Sequence, residues 1–323
     1  MTPLPFALIA GIQSAVDPRG PQAARINDLW WLFFWVCAAV YVIVVAVLLV
    51  AIARSRRNAA PVEHMKPVTT SIAAATVATA AILIGLLTVS VATGRAVGTF
   101  GQNKPDPLEI VVVGHQWWWE VTYTDPQPSN SFKTANEIHI PVGKPVLLRL
   151  STQDVIHSLW IPNLHGKRDL IPGRYNKLWI QADTPGVYRG QCAEFCGMQH
   201  AHMALVVFAD EPEKFAQWKA SQQAPASEPH TADQMKGRDL FLSLPCVNCH
   251  SIVGTDAYAT LGPDLTHVAG RRTLGAGLLM NNRGNLSGWV VNAPAVKPGV
   301  VMPPHPMDAN QLMPLVAYLE TLK

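Results

Sequence analysis

The stretch Gln191–Met203, QCAEFCGMQHAHM, places Cys192, Cys196, His200 and Met203 within 12 residues. Thiolates, an imidazole and a thioether form a soft ligand set, suited to copper rather than to calcium or magnesium. A single blue-copper ion takes one Cys, two His and a weak axial Met. Here a second Cys stands four residues from the first, and two thiolates on one loop can bridge two copper ions. Such a centre needs another imidazole, and His157, in DVIHSLWIP, is the candidate. Two other readings of the residues stay open: a disulfide between Cys192 and Cys196, and a structural zinc on two Cys and two His. His202 starts a strand in which alternation points it away from Met203, so it is not expected to be a ligand.

Outward from this loop, Leu108 to Phe208 reads as short β-rich runs broken by Pro and Gly, among them LEIVVV, EIHIPV, VLLRL, KLWIQA and MALVVF. Several short strands with turn signals predict a β-sandwich or barrel. Trp117, Trp118 and Trp119 fall in this region. In a strand Trp117 and Trp119 share one face and Trp118 takes the other. Packing and interfacial anchoring account for most of that group.

Toward the N-terminus, Leu29 to Ala53 is 25 residues without a charge, and Val68 to Gly94 is 27. As helices rising about 1.5 Å per residue, each covers a hydrocarbon core of about 30 Å with some tilt. Between them, Arg54, Arg56, Arg57 and Lys66 stand against Glu63 alone. The positive-inside rule therefore puts this loop in the cytoplasm and both termini, with everything after Arg95, on the outer face. The first dozen residues are apolar, like the remnant of a signal peptide, but lack its basic start.

Toward the C-terminus, Lys219 to Thr231 (KASQQAPASEPHT) has the composition of a flexible linker. Beyond it, Cys246-Val247-Asn248-Cys249-His250 is a CxxCH sequence. Two thiols at this spacing can attach to both vinyl groups of a haem and leave the adjacent His as an iron ligand, with zinc binding or a chance match the other readings of the motif alone. Met280, Met302, Met307 and Met313 lie downstream. Met302 is the expected sixth ligand, because Pro303 and Pro304 hold an extended backbone able to lean over a haem face. His305 is its rival, Met313 is expected to pack in the last helix, and Met280 and Met307 to fill gaps. Helices are expected at each end of this unit, around Gly237–Leu244 and Asp308–Leu322. A domain this small needs a staple, which a covalent haem supplies.

Composition agrees with this layout. Charged residues make up only 15% of the 323, against about 25% in an average soluble domain. A net charge of +3 without a basic run gives no reason to expect nucleic acid. Five Cys, an odd count, argue against a pure disulfide framework. These features argue against a cytosolic single-domain enzyme.

The copper loop resembles the CuA loop of the cytochrome c oxidase subunit 2 family. The likeness extends over residues 14–209 through GHQWWWEVTY at Gly114, DVIHSLWIP and the DLIPGR run at Asp169–Arg174. The resemblance implies that Cys192 and Cys196 bridge both coppers of a dinuclear CuA centre and that His157 and His200 bind one each. It further implies Met203 and the backbone carbonyl of Glu194 as weak ligands. The Glu194 side chain would reach a magnesium ion at the contact with oxidase subunit 1. Electron uptake is assigned to the position matching Trp117.

The C-terminal unit resembles class I cytochrome c. Gly262-Pro263-Asp264-Leu265 matches the haem-packing loop in which the Pro carbonyl orients the proximal His, and LVAYLETL at Leu315 matches the C-terminal helix. Pro314 departs from that pattern, so the helix is expected to start late or kink there. Together the likenesses imply a multidomain membrane protein of the caa type. Its expected parts are an outer segment (1–28), a two-helix transmembrane hairpin (29–94), a cupredoxin-like β-sandwich (95–218), a linker (219–231) and an all-α cytochrome c domain (232–323). The implied partners are oxidase subunit 1, subunit 3, a cytochrome c donor and membrane lipid, in a bacterial cell membrane. Oxygen would be reduced in subunit 1, with proton pumping. The equivalent subunit of a copper-containing nitric oxide reductase, or a membrane-anchored electron shuttle, remain alternatives.

Overall fold

Two helices, α1 (Pro21–Arg57) and α2 (Met65–Gly98), account for the charge-free stretches in the computed structural model, which describes residues 12–57, 65–102 and 105–323. The apolar start of the chain and most of the basic loop, Glu63 and His64 included, lie outside the described residues. At about 1.5 Å per residue, both helices exceed a hydrocarbon core. Their side chains are exposed along the length, with Trp35 at 64%, Tyr41 at 70% and Val77 at 70%. In water, that much bare apolar surface would be a severe cost; in lipid it is the solvated state. Cys37 is exposed on α1. Helix α1 begins at Pro21, ahead of the expected Leu29, because Pro is well placed in a first turn. Arg25 Nη1 donates to Ala96 O at 2.9 Å, so the start of α1 lies beside the end of α2.

The ten strands that follow form two five-stranded sheets. They are β1 (Leu108–His115), β2 (Trp118–Tyr123), β3 (Phe132–Ala135), β4 (Glu137–Pro141), β5 (Val146–Thr152), β6 (His157–Trp160), β7 (Arg168–Leu170), β8 (Asn176–Ile180), β9 (Gly186–Cys192) and β10 (Ala204–Asp210). The sheet orders are β3-β2-β1-β5-β8 and β4-β10-β9-β6-β7. Alternation decides which side chains meet between them: Ile110 and Val112 from β1, with Trp119, Val121 and Tyr123 from β2, are buried. Trp117 precedes β2 rather than standing in it, yet it is buried like Trp119. Helix α3 (Pro212–Gln223) then packs Trp218 against Tyr123 and stacks it on His139 at 3.9 Å.

Helix α3 takes up residues 219–223, which the composition assigned to a flexible connection. The following turn is also tied down, since Ala226 N donates to Val253 O at 2.9 Å. Ala- and Ser-rich composition reads as loose chain, but Phe215 and Trp218 anchor the helix it continues.

The last unit is built on α4 (Ala232–Ser243), α5 (Arg283–Val296) and α6 (Ala309–Leu319), with two short hairpins, Ser251–Ile252 with Ala257–Tyr258 and Thr273–Leu274 with Leu279–Met280. Helix α4 starts at Ala232, ahead of the expected Gly237, because Thr231 and Gln234 form a capping box. Helix α6 neither starts late nor breaks at Pro314: Asp308 caps it and Pro314 lies inside. The carbonyl that loses its bond to Pro314 belongs to Asn310, which is exposed and so reaches water. Met313 is 46% exposed rather than packed. Helix α5 was not expected, as Pro294 interrupts its pattern and Asn292 leaves helical geometry at φ −156°.

Candidate redox sites

The register of two neighbouring strands brings the soft side chains together. Leu159 of β6 pairs with Cys192 of β9, which sets His157 beside the end of β9. The loop from Cys192 to β10 then folds back over it. Cys192 Sγ lies 3.8 Å from His157 Nδ1 and 3.7 Å from Cys196 Sγ. Cys196 Sγ in turn lies 3.6 Å from His200 Nδ1 and 3.8 Å from Met203 Sδ. The Glu194 carbonyl is 3.2 Å from Cys192 Sγ. Both imidazoles thus present Nδ1 to the sulfurs, and His157, Cys192, Cys196 and Met203 are all but completely buried. The two sulfurs are free thiols, well beyond the about 2.05 Å of a disulfide. His202 turns away and meets Gln199 Oε1 at 2.7 Å.

Electrostatics favour a thiolate here. The Cys192 thiol is held far below its usual range, first by its hydrogen bond with Cys196 and then by His157, whereas Cys196 is pushed up by the same pairing and by burial. Two sulfurs this close share one proton more easily than they carry two charges, unless cations join them. With two thiols, two imidazoles and a thioether converging, the donor set fits copper. A zinc site would leave the thioether without a role.

Surrounding residues hold this set still. Gln116 Nε2 and Trp117 Nε1 both donate to the Cys196 carbonyl, at 2.8 and 2.9 Å. A Cβ on Gly114 would sit 2.8 Å from His157 Cδ2, so only glycine lets that ring lie against β1. Asp154 Oδ1 meets His157 Nε2 at 2.8 Å, fixing the tautomer with Nδ1 facing the thiols. Asp154 escaped the sequence reading, although an Asp three residues before a candidate ligand was a signal. Asp154→Asn is expected to weaken copper binding about 10- to 100-fold, measured by competition with a copper chelator; unchanged affinity would remove Asp154 from the site. The Glu194 carboxylate points outward and pairs with Lys167 at 3.2 Å.

A cavity of about 630 Å³ is lined by Cys246, Cys249, His250, Met302, His305 and Met307 of the last unit and, on its other side, by Gln116, Trp117 and Trp118 of the sandwich. Cofactor pockets run to about 300–1,000 Å³. His250 Nδ1 lies 2.8 Å from the Pro263 carbonyl and must donate to it, leaving Nε2 as the acceptor able to ligate iron. Burial lowers the His250 pKa and keeps the ring neutral. A Cβ on Gly262 would meet His250 Cε1 at 2.7 Å, so the ring is packed as well as bonded. Arg271 Nε and Thr273 Oγ1 belong to residues that line this cavity, and both atoms are buried with no hydrogen-bond partner among the described residues. Buried polar atoms seldom stay unpaired, and carboxylate groups such as haem propionates would satisfy them. The cavity therefore fits a haem. Met307 packs against the core of the last unit, as expected, and also lines the cavity, while Met280 is 40% exposed and off the cavity.

Comparison with known proteins accounts for both parts. The family model described as cytochrome c oxidase subunit II, periplasmic domain, matches residues 126–209, and that of cytochrome c matches residues 234–323. The class is thus a subunit II periplasmic domain fused in one chain to a cytochrome c. A cytochrome c oxidase subunit 2 of Alkalihalophilus pseudofirmus is 37% identical over 317 residues, covering 96% of this chain and 91% of that relative. The chain therefore belongs to the cytochrome c oxidase subunit 2 family. The subunit 2 of Bacillus subtilis is 28% identical over 74% of this chain and 68% of its own. Among solved structures, the periplasmic domain of subunit II of cytochrome oxidase from Bradyrhizobium japonicum is 32% identical, covering 37% of this chain and 96% of that one, with a TM-score of 0.35. Membership implies a CuA copper site in the sandwich and a haem in the last unit, on a membrane-anchored protein with periplasmic domains.

Proposed function

We propose that this chain receives electrons for a respiratory haem–copper oxidase, taking them from a cytochrome c type donor and delivering them to subunit 1, where oxygen is reduced to water with proton pumping. When bound, a covalent haem c and a dinuclear CuA centre would supply two sites that each hold one electron. Cys246 and Cys249 would carry the haem thioethers, with His250 and Met302 as axial groups. His157, Cys192, Cys196, His200, Met203 and the Glu194 carbonyl would hold the copper pair. Subunits 1 and 3 and membrane lipid would surround the hairpin, whose short loop would face the cytoplasm. The outward Glu194 carboxylate is free to join a magnesium ion at the subunit 1 contact if it leaves Lys167.

The observation that carries this reading is the place of Trp117. Its indole N–H donates to the Cys196 carbonyl, its ring lines the haem-sized cavity, and Gly299 of the last unit packs on its far edge. One aromatic side chain therefore touches both candidate sites. The strands that hold His157 and Cys192 resist movement of the ligands, which favours rapid transfer because little has to reorganise. Docking within one chain removes the wait for a collision.

The test is to isolate the full chain from membranes in detergent and record optical and EPR spectra. The expected result is a low-spin c-type haem, a mixed-valence two-copper signal and co-isolation with a large polytopic haem protein. A blue or type 2 single-copper spectrum would reject the dinuclear site, and isolation without a partner would favour a shuttle.

A further inference from the structure

Lys297 is a buried cation that meets no carboxylate among the described residues. It follows α5 in the last unit, is 1% exposed, and ends among three backbone carbonyls. Its Nζ donates to Trp117 O, His202 O and Gly275 O, each at 2.8 Å. Three acceptors match the three N–H donors of an ammonium. Two of the carbonyls belong to the copper-loop domain and one to the haem domain that carries Lys297 itself. Burying an unpaired charge is costly, and full hydrogen bonding is what makes it tolerable. Burial also lowers the lysine pKa, to about 8.

The contacts around it are of the same kind. Ala204 N donates to Ala276 O at 3.0 Å, and Gln199 Nε2 to Pro298 O at 2.9 Å. Farther along, Glu137 Oε1 accepts from Arg272 N at 2.6 Å. Each bond joins the two domains, and the Lys297 bond does so at Trp117, on whose ring Gly299 also packs.

We propose that Lys297 is a positioning residue: its ammonium clasps the two domains together and holds the Trp117 backbone so that the indole stays between the haem cavity and the Cys196 carbonyl. The proposal rests on the reading of both sites given above. The last unit then acts as a docked donor, rather than a haem swinging on a tether. Removing the ammonium, with the linker intact, leaves three buried carbonyls unsatisfied and gives the two domains a reason to part.

Two measurements on the full chain in its assembled complex test this. In the first, an amine-reactive reagent is applied to wild-type protein and followed by mass spectrometry. Lys297 is expected to label at least tenfold more slowly than an exposed lysine such as Lys214; equal labelling would overturn the clasp, whatever metals are bound. In the second, flash-induced electron transfer between the two centres is timed in Lys297→Met and Lys297→Arg. Lys297→Met is expected to slow transfer at least tenfold with haem and copper spectra unchanged, and Lys297→Arg to recover part of the rate. An unchanged rate in Lys297→Met would overturn the positioning role. If the methionine variant fails to assemble, the labelling decides. Missing copper or haem signals in the wild type would instead count against the function proposed for the two sites.

Discussion

Cys196→Ser is expected to abolish the mixed-valence copper signal proposed for the loop and to leave the haem bands in place. Cys196 Sγ lies within 3.8 Å of Cys192 Sγ, His200 Nδ1 and Met203 Sδ, so it joins the two halves of the ligand set. A serine oxygen is hard, poorly matched to copper, and shorter in reach than sulfur. His200 and Met203 would then be left on one side, and Cys192 with His157 on the other. The haem cavity takes nothing from Cys196 directly, so a haem spectrum that stays unchanged separates ligand loss from misfolding. EPR of the purified variant reads the outcome; persistence of the two-copper signal would mean that the centre does not need the second sulfur.

Gly237→Ala should have a comparably large effect, confined to the last unit. Helix α4 crosses α6 at Gly237, where an added Cβ would run into the Pro314 carbonyl oxygen and lie 2.8 Å from Tyr318 Cβ. The obstacle is backbone, which cannot rotate away as a side-chain tip can. Relief requires the helices to separate and loosens the packing of Phe241 against Tyr318, whose rings are 6.2 Å apart. Overpacking of this sort costs about 1–3 kcal/mol, occasionally more, and a backbone clash belongs at the upper end. Denaturation followed by haem circular dichroism should show a lower midpoint, while the copper chromophore loses its signal no earlier than in wild type. An unchanged haem midpoint would mean that the two helices do not cross so closely.

What could be read in advance divides by range along the chain. The donors of the copper loop are near neighbours, and so are the thiols and imidazole of the CxxCH run, so their chemistry was visible as spacing. The membrane helices were visible because absence of charge is a local property. Helix α5 was not, since Pro294 and the break at Asn292 hide a helix that its buried face, with Leu286 and Val290, stabilises. The connection expected from residue 219 starts later, after Gln223, because Phe215 and Trp218 pack against the sandwich and anchor the helix that runs to that point. Pro314 was expected to disturb its helix, but the carbonyl it strands belongs to an exposed residue.

Composition and spacing alone established two lipid-length spans, a soft thiolate–imidazole loop on a β-rich frame and a thiol pair for haem. Those features depend on which atoms the chain carries and how few bonds separate them. Folding supplied the rest: the β6–β9 register that sets His157 beside the thiols, the Asp154 carboxylate behind it, the unpaired Arg271 and Thr273 atoms on the cavity, and Lys297 bonded to Trp117 across 180 positions of sequence. Such pairings arise from burial and hydrogen bonding between distant segments, and no local pattern encodes them. The meeting of both candidate sites at one tryptophan is therefore a property of the packed chain.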